Sequence, residues 1–304
     1  MSSARTSGHP LADRRFDYAL AYREGGEFTA AVELLGQALE LAPGWAPGWT
    51  TLGEWHEASG DLGAAIDAYR RALALDAADT SGAGARLARL GAHSADGAVS
   101  QAHVAALFDD YAPRFEASLV KGLAYRGPAL LREALLDLQP GRGFRRMLDL
   151  GCGTGLAGEA FASLCERMEG VDLSPAMLAI ATGKKIYARL VAGDVRDFLG
   201  TEPSGSADLI LAADVFVYLG DLAAIFREAA RVLGPGGFFA FTVQHHDGEK
   251  PFLVGKDLRY AHSAAALRAW TQAAGLSVMQ IKPASTRLDA GSPVPGLVVV
   301  LQRR

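Results

Sequence analysis

From residue 145 onward the sequence alternates short apolar runs with stretches of helical periodicity. Seven runs have the composition of buried strands, at 146–150, 168–172, 188–192, 207–213, 237–243, 276–281 and 297–301. Helices are predicted between them at 156–166, 175–182, 222–233 and 263–274. This alternation favours an α/β fold with a doubly wound, mostly parallel seven-stranded sheet. Only a loop joins the last two strands, so we expect them to form an antiparallel edge pair.

The first predicted strand runs directly into a glycine-rich turn, residues 149–155, which reads DLGCGTG. Glycines here let the backbone turn tightly and let a ligand approach bare amides. The helix that follows directs its positive end at that ligand. Gly153, Gly155 and Gly158 also fit the spacing G-x-G-x-x-G, so a dinucleotide site is one interpretation, although this spacing alone is a weak signal.

Three acidic residues at successive strand ends separate the possible ligands. Asp149 precedes the glycines, where a carboxylate suits a cationic amino group and not a pyrophosphate. Asp172 ends the second predicted strand, where a carboxylate can accept from both hydroxyls of a ribose. Asp194 follows the third strand and offers an acceptor for an exocyclic adenine amine. The set matches S-adenosylmethionine better than NAD.

The region 12–79 repeats itself at a spacing of 34 residues, as in the pairs Ala31 and Ala65 or Ala38 and Ala72. In the second copy, large and small residues occur where a tetratricopeptide repeat places them, namely Trp49, Leu52, Gly53, Ala65, Tyr69 and Ala72. About three repeats are usually needed for stability, so we expect helix 83–90 or the rest of the chain to support the two visible copies. An ordinary pair of helical hairpins is the alternative.

Four segments of the second half together resemble the class I S-adenosylmethionine-dependent methyltransferases. They are residues 149–155, 171–178, 193–195 and 231–237, and the resemblance spans residues 145–301. Residues 108–112 and 125–128, with the repeats upstream, further resemble bacterial methyltransferases that carry tetratricopeptide repeats. This second resemblance indicates an architecture more than a reaction.

The resemblance implies a set of cofactor-binding residues, most of them at the ends of the first four predicted strands. The set comprises Tyr111, Asp149, Gly151, Cys152, Gly153, Gly155, Asp172, Leu173, Met177, Asp194, Val195, Ala213 and Asp214. The glycines would line the methionine part of the cofactor. Asp172 would bind the ribose and Leu173 would pack on the adenine.

The remaining implied contacts surround the adenine and the sulfonium. Asp194 would accept from the adenine amine, and Val195 would add a backbone contact to the ring. Ala213 and Asp214 would lie beside the sulfonium. Tyr111 would reach the methionine part from a helical lid that we expect within residues 93–144, where aromatic residues follow a helical spacing.

Candidates for substrate chemistry are fewer. Methyl transfer is an in-line displacement, and a general base is needed only when the acceptor keeps its proton. His245 and His246 follow the fifth predicted strand and His262 precedes a helix, so they are weak candidates, and each taken alone is better explained as a solvated loop residue. Residues 214–217 read DVFV and lack the Asp/Asn-Pro-Pro-Tyr/Phe motif that marks methylation of amide or base nitrogens in similar enzymes. We therefore expect no nucleic-acid partner.

Composition limits the remaining possibilities. The formal net charge of −4 is not that of a dedicated nucleic-acid binder, and 50% hydrophobic residues allow a sizeable core. Cys152 and Cys165 are too few for a cysteine-based zinc site, and no metal is expected. The first fifteen residues lack the apolar core of a signal peptide, and no membrane segment is predicted. A cytoplasmic location is the expectation. Arg142, Arg145 and Arg146 are expected on a solvated edge.

We thus expect repeats at 1–92, a helical lid or linker at 93–144 and a methyltransferase domain at 145–304. The expected function is S-adenosylmethionine-dependent methyl transfer to a small-molecule acceptor, at oxygen, nitrogen or carbon. A protein-directed methyltransferase recruited through the repeats is the alternative. A non-catalytic cofactor-binding scaffold is disfavoured by the three acids. Oligomeric state stays open.

Overall fold

The computed structural model describes residues 6–122, 124–289 and 291–304. The chain forms two compact units, Met1–Val104 and Ala105–Arg304. The domain boundaries expected after residues 92 and 144 stay predictions.

The first unit is built from consecutive helices that follow the repeat. They are α1 (Pro10–Glu24), α2 (Phe28–Leu41), α3 (Ala46–Ala58), α4 (Leu62–Leu75) and α5 (Ala83–Arg89). The equivalent residues Ala31 and Ala65 are both fully buried. Gly53 lies against the ring of Tyr69, where a side chain would overlap it. Small residues at repeat positions therefore allow close helix packing.

Helix α5 supports the second repeat, as the repeat count predicted. Its Leu87 packs in one cluster with Tyr69 of α4. Arg89 of α5 forms an ion pair of 2.5 Å with Glu57 of α3. The two helices of the second repeat are thus both covered by a third partner.

The second unit begins within α6 (Gln101–Tyr111) and combines helices with a central sheet. Its further helices are α7 (Gly127–Leu138), α8 (Leu156–Phe161), α9 (Pro175–Lys184), α10 (Val195–Thr201), α11 (Ala223–Val232) and α12 (Ala264–Ala273). Its strands are β1 (Phe144–Leu150), β2 (Cys165–Asp172), β3 (Arg189–Ala192), β4 (Ala207–Ala212), β5 (Leu233–His245), β6 (Phe252–Val254), β7 (Tyr260–His262), β8 (Leu276–Pro283), β9 (Leu288–Asp289), β10 (Ser292–Pro293) and β11 (Gly296–Arg303).

The sheet has the strand order β3-β2-β1-β4-β5-β11-β8, which confirms the predicted doubly wound fold. The first five strands of this order are parallel, and β11 runs antiparallel to both β5 and β8. The order reverses between β1 and β4. In such sheets the crevice at the carboxyl ends of these two strands is the usual ligand site.

Some predicted boundaries are wrong. Helix α8 ends at Phe161 and not at residue 166, because Cys165 already pairs with Phe144 at the start of β1. The backbone hydrogen bonds of the sheet outweigh the local helical pattern there. Helix α10 and the short β6–β7 hairpin, which adds to β5, were not predicted.

Apolar residues cover both faces of the sheet in two separate clusters. On one face, Phe226 of α11 packs edge-on against Phe239 and Phe241 of β5. On the other face, α7 contributes Leu131 and Leu135 to a cluster with the central strands. Helix α7 is therefore part of the core of the sheet, although it lies within the segment expected to form the lid.

Arg146 does not lie on a solvated edge, so that prediction is wrong. Its guanidinium forms ion pairs with Glu169 at 2.9 Å and with Glu202 at 2.5 Å. The two carboxylates are only 1% and 3% exposed. Because a buried carboxylate needs a compensating charge, the two acids require the Arg146 guanidinium near the amino end of β1.

Within the described part of the chain, no helix combines the length and the apolar character that crossing a membrane requires.

Candidate functional site

The turn after β1 is built on three glycines with left-handed backbones. Gly151, Gly153 and Gly155 have φ angles of 63°, 53° and 92°. A side chain at Gly151 would also collide with Val215, whereas the space beside Gly153 is open. Larger residues are disfavoured at all three positions because they rarely adopt positive φ. Between the glycines, Cys152 is buried, and its N–H donates to the carbonyl of Val171 at 2.9 Å.

Asp149, the last acid before this turn, is buried with 1% of its surface exposed. Its Oδ2 accepts a hydrogen bond of 2.5 Å from the Tyr187 hydroxyl. Its Oδ1 is buried and has no hydrogen-bond partner among the described residues. Burial raises the pKa of Asp149 to about 7, helped by the charge of Asp172 and opposed by the Tyr187 hydrogen bond. A buried acceptor of this kind suits a cationic donor.

Asp172 ties the turns after β1 and β2 together. Its Oδ2 accepts from the N–H of Gly153 at 2.8 Å, and its Oδ1 accepts from the N–H of Ser174 at 2.9 Å. Burial raises the pKa of Asp172, while these two backbone donors oppose the rise. Each carboxylate oxygen has two lone-pair sites, so capacity for ribose hydroxyls remains.

Leu173 and Met177 follow Asp172 at the start of α9. Leu173 is half-buried. Met177 is buried in the interior, and its N–H donates to the capping hydroxyl of Ser174 at 3.1 Å. A contact of Leu173 with the adenine and a role for Met177 in the cofactor site stay predictions.

Asp194 caps the short helix α10. Its Oδ1 accepts from the N–H of Arg196 at 2.7 Å and of Asp197 at 3.3 Å. Val195, the first residue of α10, is buried in the core cluster that contains Phe239. The carboxylate therefore has a structural role in this chain, and its contact with the adenine amine stays a prediction.

The end of β4 carries Ala213 and Asp214. Asp214 has a left-handed backbone, with φ 57°. Its Oδ1 accepts from the Thr242 hydroxyl at 2.7 Å and its Oδ2 from the Thr286 hydroxyl at 2.8 Å. Arg287 lies 3.9 Å from Oδ2. The carboxylate is thus fixed at the crevice edge by groups from β5 and from the loop after β8.

A pocket lies over the turn after β1. The lining comes from the segment before α7, the start of α7, the glycine turn, α8 and the end of β4. Its residues are Phe115, Tyr125, Pro128, Gly151, Cys152, Gly153, Thr154, Leu156, Ala157 and Ala213. Tyr111, which was expected to reach the cofactor, is not among these lining residues, and its ring packs edge-on against Phe115 at 5.6 Å. The role of Tyr111 stays a prediction. Phe115 and Tyr125 are the aromatic side chains that the structure brings to the pocket.

The segment between α6 and α7 is fastened to the sheet domain at both ends. Asp109 of α6 accepts from the Ser174 hydroxyl at 2.5 Å, beside the Asp172 turn. At the other end, the N–H of Arg126 donates to the carbonyl of Thr286 at 2.8 Å. The aromatic wall of the pocket is therefore held in place by hydrogen bonds from β2–α9 and from the loop after β8.

His262 is a buried structural residue with no exposed surface. Its Nε2–H donates to the carbonyls of Leu219 and Gly220, both at 3.0 Å. Burial lowers the pKa of His262 to about 4, so the ring is neutral near pH 7. The ring holds the turn that precedes α11.

His245 and His246 are engaged locally. His245 contacts the carbonyl of His262 and the carboxylate of Asp247, each at 3.0 Å. His246 accepts from the N–H of Gly248 at 3.1 Å, and burial lowers its pKa. The lining of the pocket, as drawn from the described residues, includes none of the three histidines. A general-base role for any of them stays a prediction.

Comparison with known proteins identifies both parts of the chain. Residues 148–241 match the family model of a methyltransferase domain, and residues 12–44 and 46–79 match the tetratricopeptide repeat. The chain is a methyltransferase with N-terminal tetratricopeptide repeats. The methyltransferase match covers the β1 turn and the end of β4, which line the pocket, and also the ends of β2 and β3.

Relatives of this methyltransferase include two named enzymes. A ubiquinone biosynthesis O-methyltransferase of Pseudomonas aeruginosa is 28% identical over 169 residues, which is 50% of this chain and 72% of that protein. A malonyl-[acyl-carrier protein] O-methyltransferase of Legionella pneumophila is 36% identical over 126 residues, 40% of this chain and 42% of that protein.

A solved structure shows the same fold. It is the Haloferax volcanii putative methyltransferase in complex with the Trm112 methyltransferase activator. The match has a TM-score of 0.50 and 21% identity, and it covers 64% of this chain and 96% of that one.

S-adenosylmethionine is the cofactor of this methyltransferase, and the residues present fit it. The orphaned Oδ1 of Asp149 offers a buried acceptor for its ammonium group. The open space beside Gly153 leaves room for a ligand against the backbone of the turn. Asp172 retains acceptor capacity for the ribose.

Proposed function

We propose that this methyltransferase transfers the methyl group of S-adenosylmethionine to a small-molecule acceptor held between the β1 turn and the segment that carries Phe115 and Tyr125. The observation that carries the proposal is the aromatic wall of Phe115 and Tyr125 over the glycine turn, which partly covers the pocket beside Ala213. A flat or open face would suit a macromolecular acceptor better.

The chain contributes binding and orientation to this reaction. The bound cofactor supplies an electrophilic methyl group on sulfur. Asp149 would hold the amino-acid part of the cofactor and Asp172 its ribose, so that the methyl group between them faces the pocket. Phe115 and Tyr125 would exclude water and hold the acceptor in line, which accounts for much of the acceleration in such displacements.

The relatives favour oxygen as the accepting atom, because both are named O-methyltransferases. The hydroxyl of Tyr125 would stay protonated, since burial raises its pKa well above the usual value. We therefore assign Tyr125 to orientation and leave the general base unassigned. Nitrogen and carbon acceptors remain outcomes of the test below.

A protein acceptor recruited through the repeats is the second candidate. Helix α1 exposes Leu11, Tyr18 and Tyr22 to solvent, and such side chains on a repeat module favour contact with another protein.

We also propose a cytoplasmic location for this methyltransferase. The proposal is supported by Cys152 and Cys165, which are free thiols, as is usual in the reducing cytoplasm.

The cofactor assignment predicts thermal stabilisation by S-adenosylhomocysteine but not by NAD. At about one hundred times its dissociation constant, a ligand adds about 2.7 kcal/mol to the free energy of unfolding. For a unit of about 200 residues, this corresponds to a rise in melting temperature of about 5 to 10 °C. Differential scanning fluorimetry measures it. A rise with NAD and none with S-adenosylhomocysteine would contradict the assignment.

The acceptor class predicts where a labelled methyl group goes. The protein is incubated with methyl-labelled S-adenosylmethionine and, separately, with the low-molecular-weight and the protein fractions of a cell extract. We expect label in the small-molecule fraction, absent with Asp172→Ala. Label confined to proteins would favour the second candidate, and the accepting atom follows from mass spectrometry of the labelled product.

A further inference from the structure

Tyr187 lies between α9 and β3, outside the glycine motif, yet its side chain crosses the start of α8. A side chain at Gly158 would overlap the Tyr187 hydroxyl, and one at Gly155 would come within 3.1 Å of the ring. The third glycine of the G-x-G-x-x-G spacing therefore makes room for this ring. With that room, the hydroxyl reaches Oδ2 of Asp149 at 2.5 Å.

The charged and titratable groups around Asp149 come from four directions. Burial raises the pKa of Asp149, and the charge of Asp172 at the end of β2 raises it further. Burial also raises the pKa of Tyr125 before α7, of Cys152 in the glycine turn and of Cys165 in β2, and the charge of Asp149 adds to each of these shifts. Burial raises the pKa of the Tyr187 phenol far above its usual value, so the phenol remains a donor. Of these groups, Tyr187 is the one that donates a hydrogen bond to the Asp149 carboxylate, at 2.5 Å.

We propose that Tyr187 is a positioning residue that favours the ionised form of Asp149 and orients its carboxylate, with Oδ2 occupied by the phenol and Oδ1 presented to the ammonium group of the cofactor. This inference rests on the proposed function, since it assumes that S-adenosylmethionine occupies the pocket.

The physical reason is the balance between burial and hydrogen bonding. A buried carboxylate prefers to be protonated, and a protonated Asp149 cannot form an ion pair with an ammonium group. A donor on one oxygen favours the ionised form and leaves the other oxygen available. Loss of the phenol hydroxyl should therefore make cofactor binding depend more steeply on pH, beyond any general loosening of the site.

The test compares S-adenosylhomocysteine binding by the full-length protein and by Tyr187→Phe, using calorimetry from pH 6 to pH 8.5. This substitution keeps the ring that packs on Gly155 and Gly158. We expect the variant to bind about tenfold more weakly than the wild type at pH 6.5, which corresponds to one unit of carboxylate pKa. Near pH 8.5 the two affinities should converge to within about threefold. Titration of the ligand amine affects both proteins equally and cancels in the ratio.

Two further variants keep the test decisive. Thr29→Val removes an exposed hydroxyl from α2 and should leave the affinity unchanged at every pH. In an Asp149→Asn background, Tyr187→Phe should lose its pH-dependent effect, because no carboxylate remains to titrate. A ratio of affinities that is the same at all pH values would overturn the proposal and leave Tyr187 as packing. Failure of the wild-type protein to bind S-adenosylhomocysteine at all would instead overturn the proposed function.

Discussion

Asp172→Ala is expected to weaken S-adenosylhomocysteine binding by about one hundredfold, because two hydrogen bonds to a charged acceptor contribute about 1.5 kcal/mol or more each. The carboxylate is expected to accept from both ribose hydroxyls. It also accepts from the N–H groups of Gly153 and Ser174, which fixes the turns that surround the ligand. Removing it takes away both a direct contact and the tie between two strand ends. Calorimetry at pH 7.5 measures the dissociation constant.

Two variants separate these contributions. Asp172→Asn keeps one acceptor oxygen without the charge, so its affinity should fall between those of the wild type and Asp172→Ala. Asp137→Ala removes an exposed carboxylate on α7 and should have no effect. An unchanged dissociation constant for a folded Asp172→Ala protein would remove this residue from the site.

The sheet could be predicted from sequence because its central strands β4, β5 and β11 are buried on both faces and β1 and β2 end at recognisable residues. An aspartate precedes the turn after each of β1 and β2, namely Asp149 and Asp172. The carboxyl ends of both strands lie at the predicted residues, whereas their amino ends begin two and three residues earlier than predicted. The short elements could not be predicted. Helix α10 has only seven residues, and β6 and β7 have three each, which is too few for a periodic pattern to appear.

The side-chain contacts of the site were harder to predict, because they depend on how distant segments pack. Tyr187 reaches Asp149 from 38 positions away, and its own sequence neighbourhood gives no signal of this. Tyr111 and Phe115 share one helical stripe, so the sequence could not tell which of them faces the pocket. Helix α6 ends at Tyr111 and a tighter turn follows, and this change of helix type brings Phe115 to the pocket lining.

His262 is a residue for which the sequence suggested a role in the pocket that its side-chain contacts do not support. Its place at the end of a strand near the crevice made it a candidate base. Its ring is buried between Phe252 and Trp270, and its N–H holds two backbone carbonyls. Position along the chain indicates which edge of the sheet a residue occupies, but not whether its side chain points into the pocket or into the core.

Glu169→Gln is expected to lower the free energy of unfolding by about 3 kcal/mol at pH 7, since breaking a buried ion pair leaves its partner uncompensated. The Glu169 carboxylate is buried and forms ion pairs with Arg146 at 2.9 Å and with Arg167 and Arg189 at 2.7 Å each. Despite the opposing effect of burial, these arginines lower the pKa of Glu169 to about 2. A carboxylate with a depressed pKa in the folded state stabilises the protein above the unfolded-state value of 4.5. This contribution is lost as the pH falls from about 4.5 towards 2.

Urea unfolding of the wild type and of Glu169→Gln at several pH values checks both the size and the sign of this effect. The difference in unfolding free energy should be largest at pH 6 to 7 and should shrink below about pH 4.5, where the carboxylate protonates in the unfolded chain but stays ionised in the folded protein. Glu133→Gln, at an exposed position on α7, should match the wild type throughout. A loss of stability that stays the same at pH 3 and pH 7 would mean that Gln disturbs packing, and that the charge of Glu169 does not stabilise the start of the sheet.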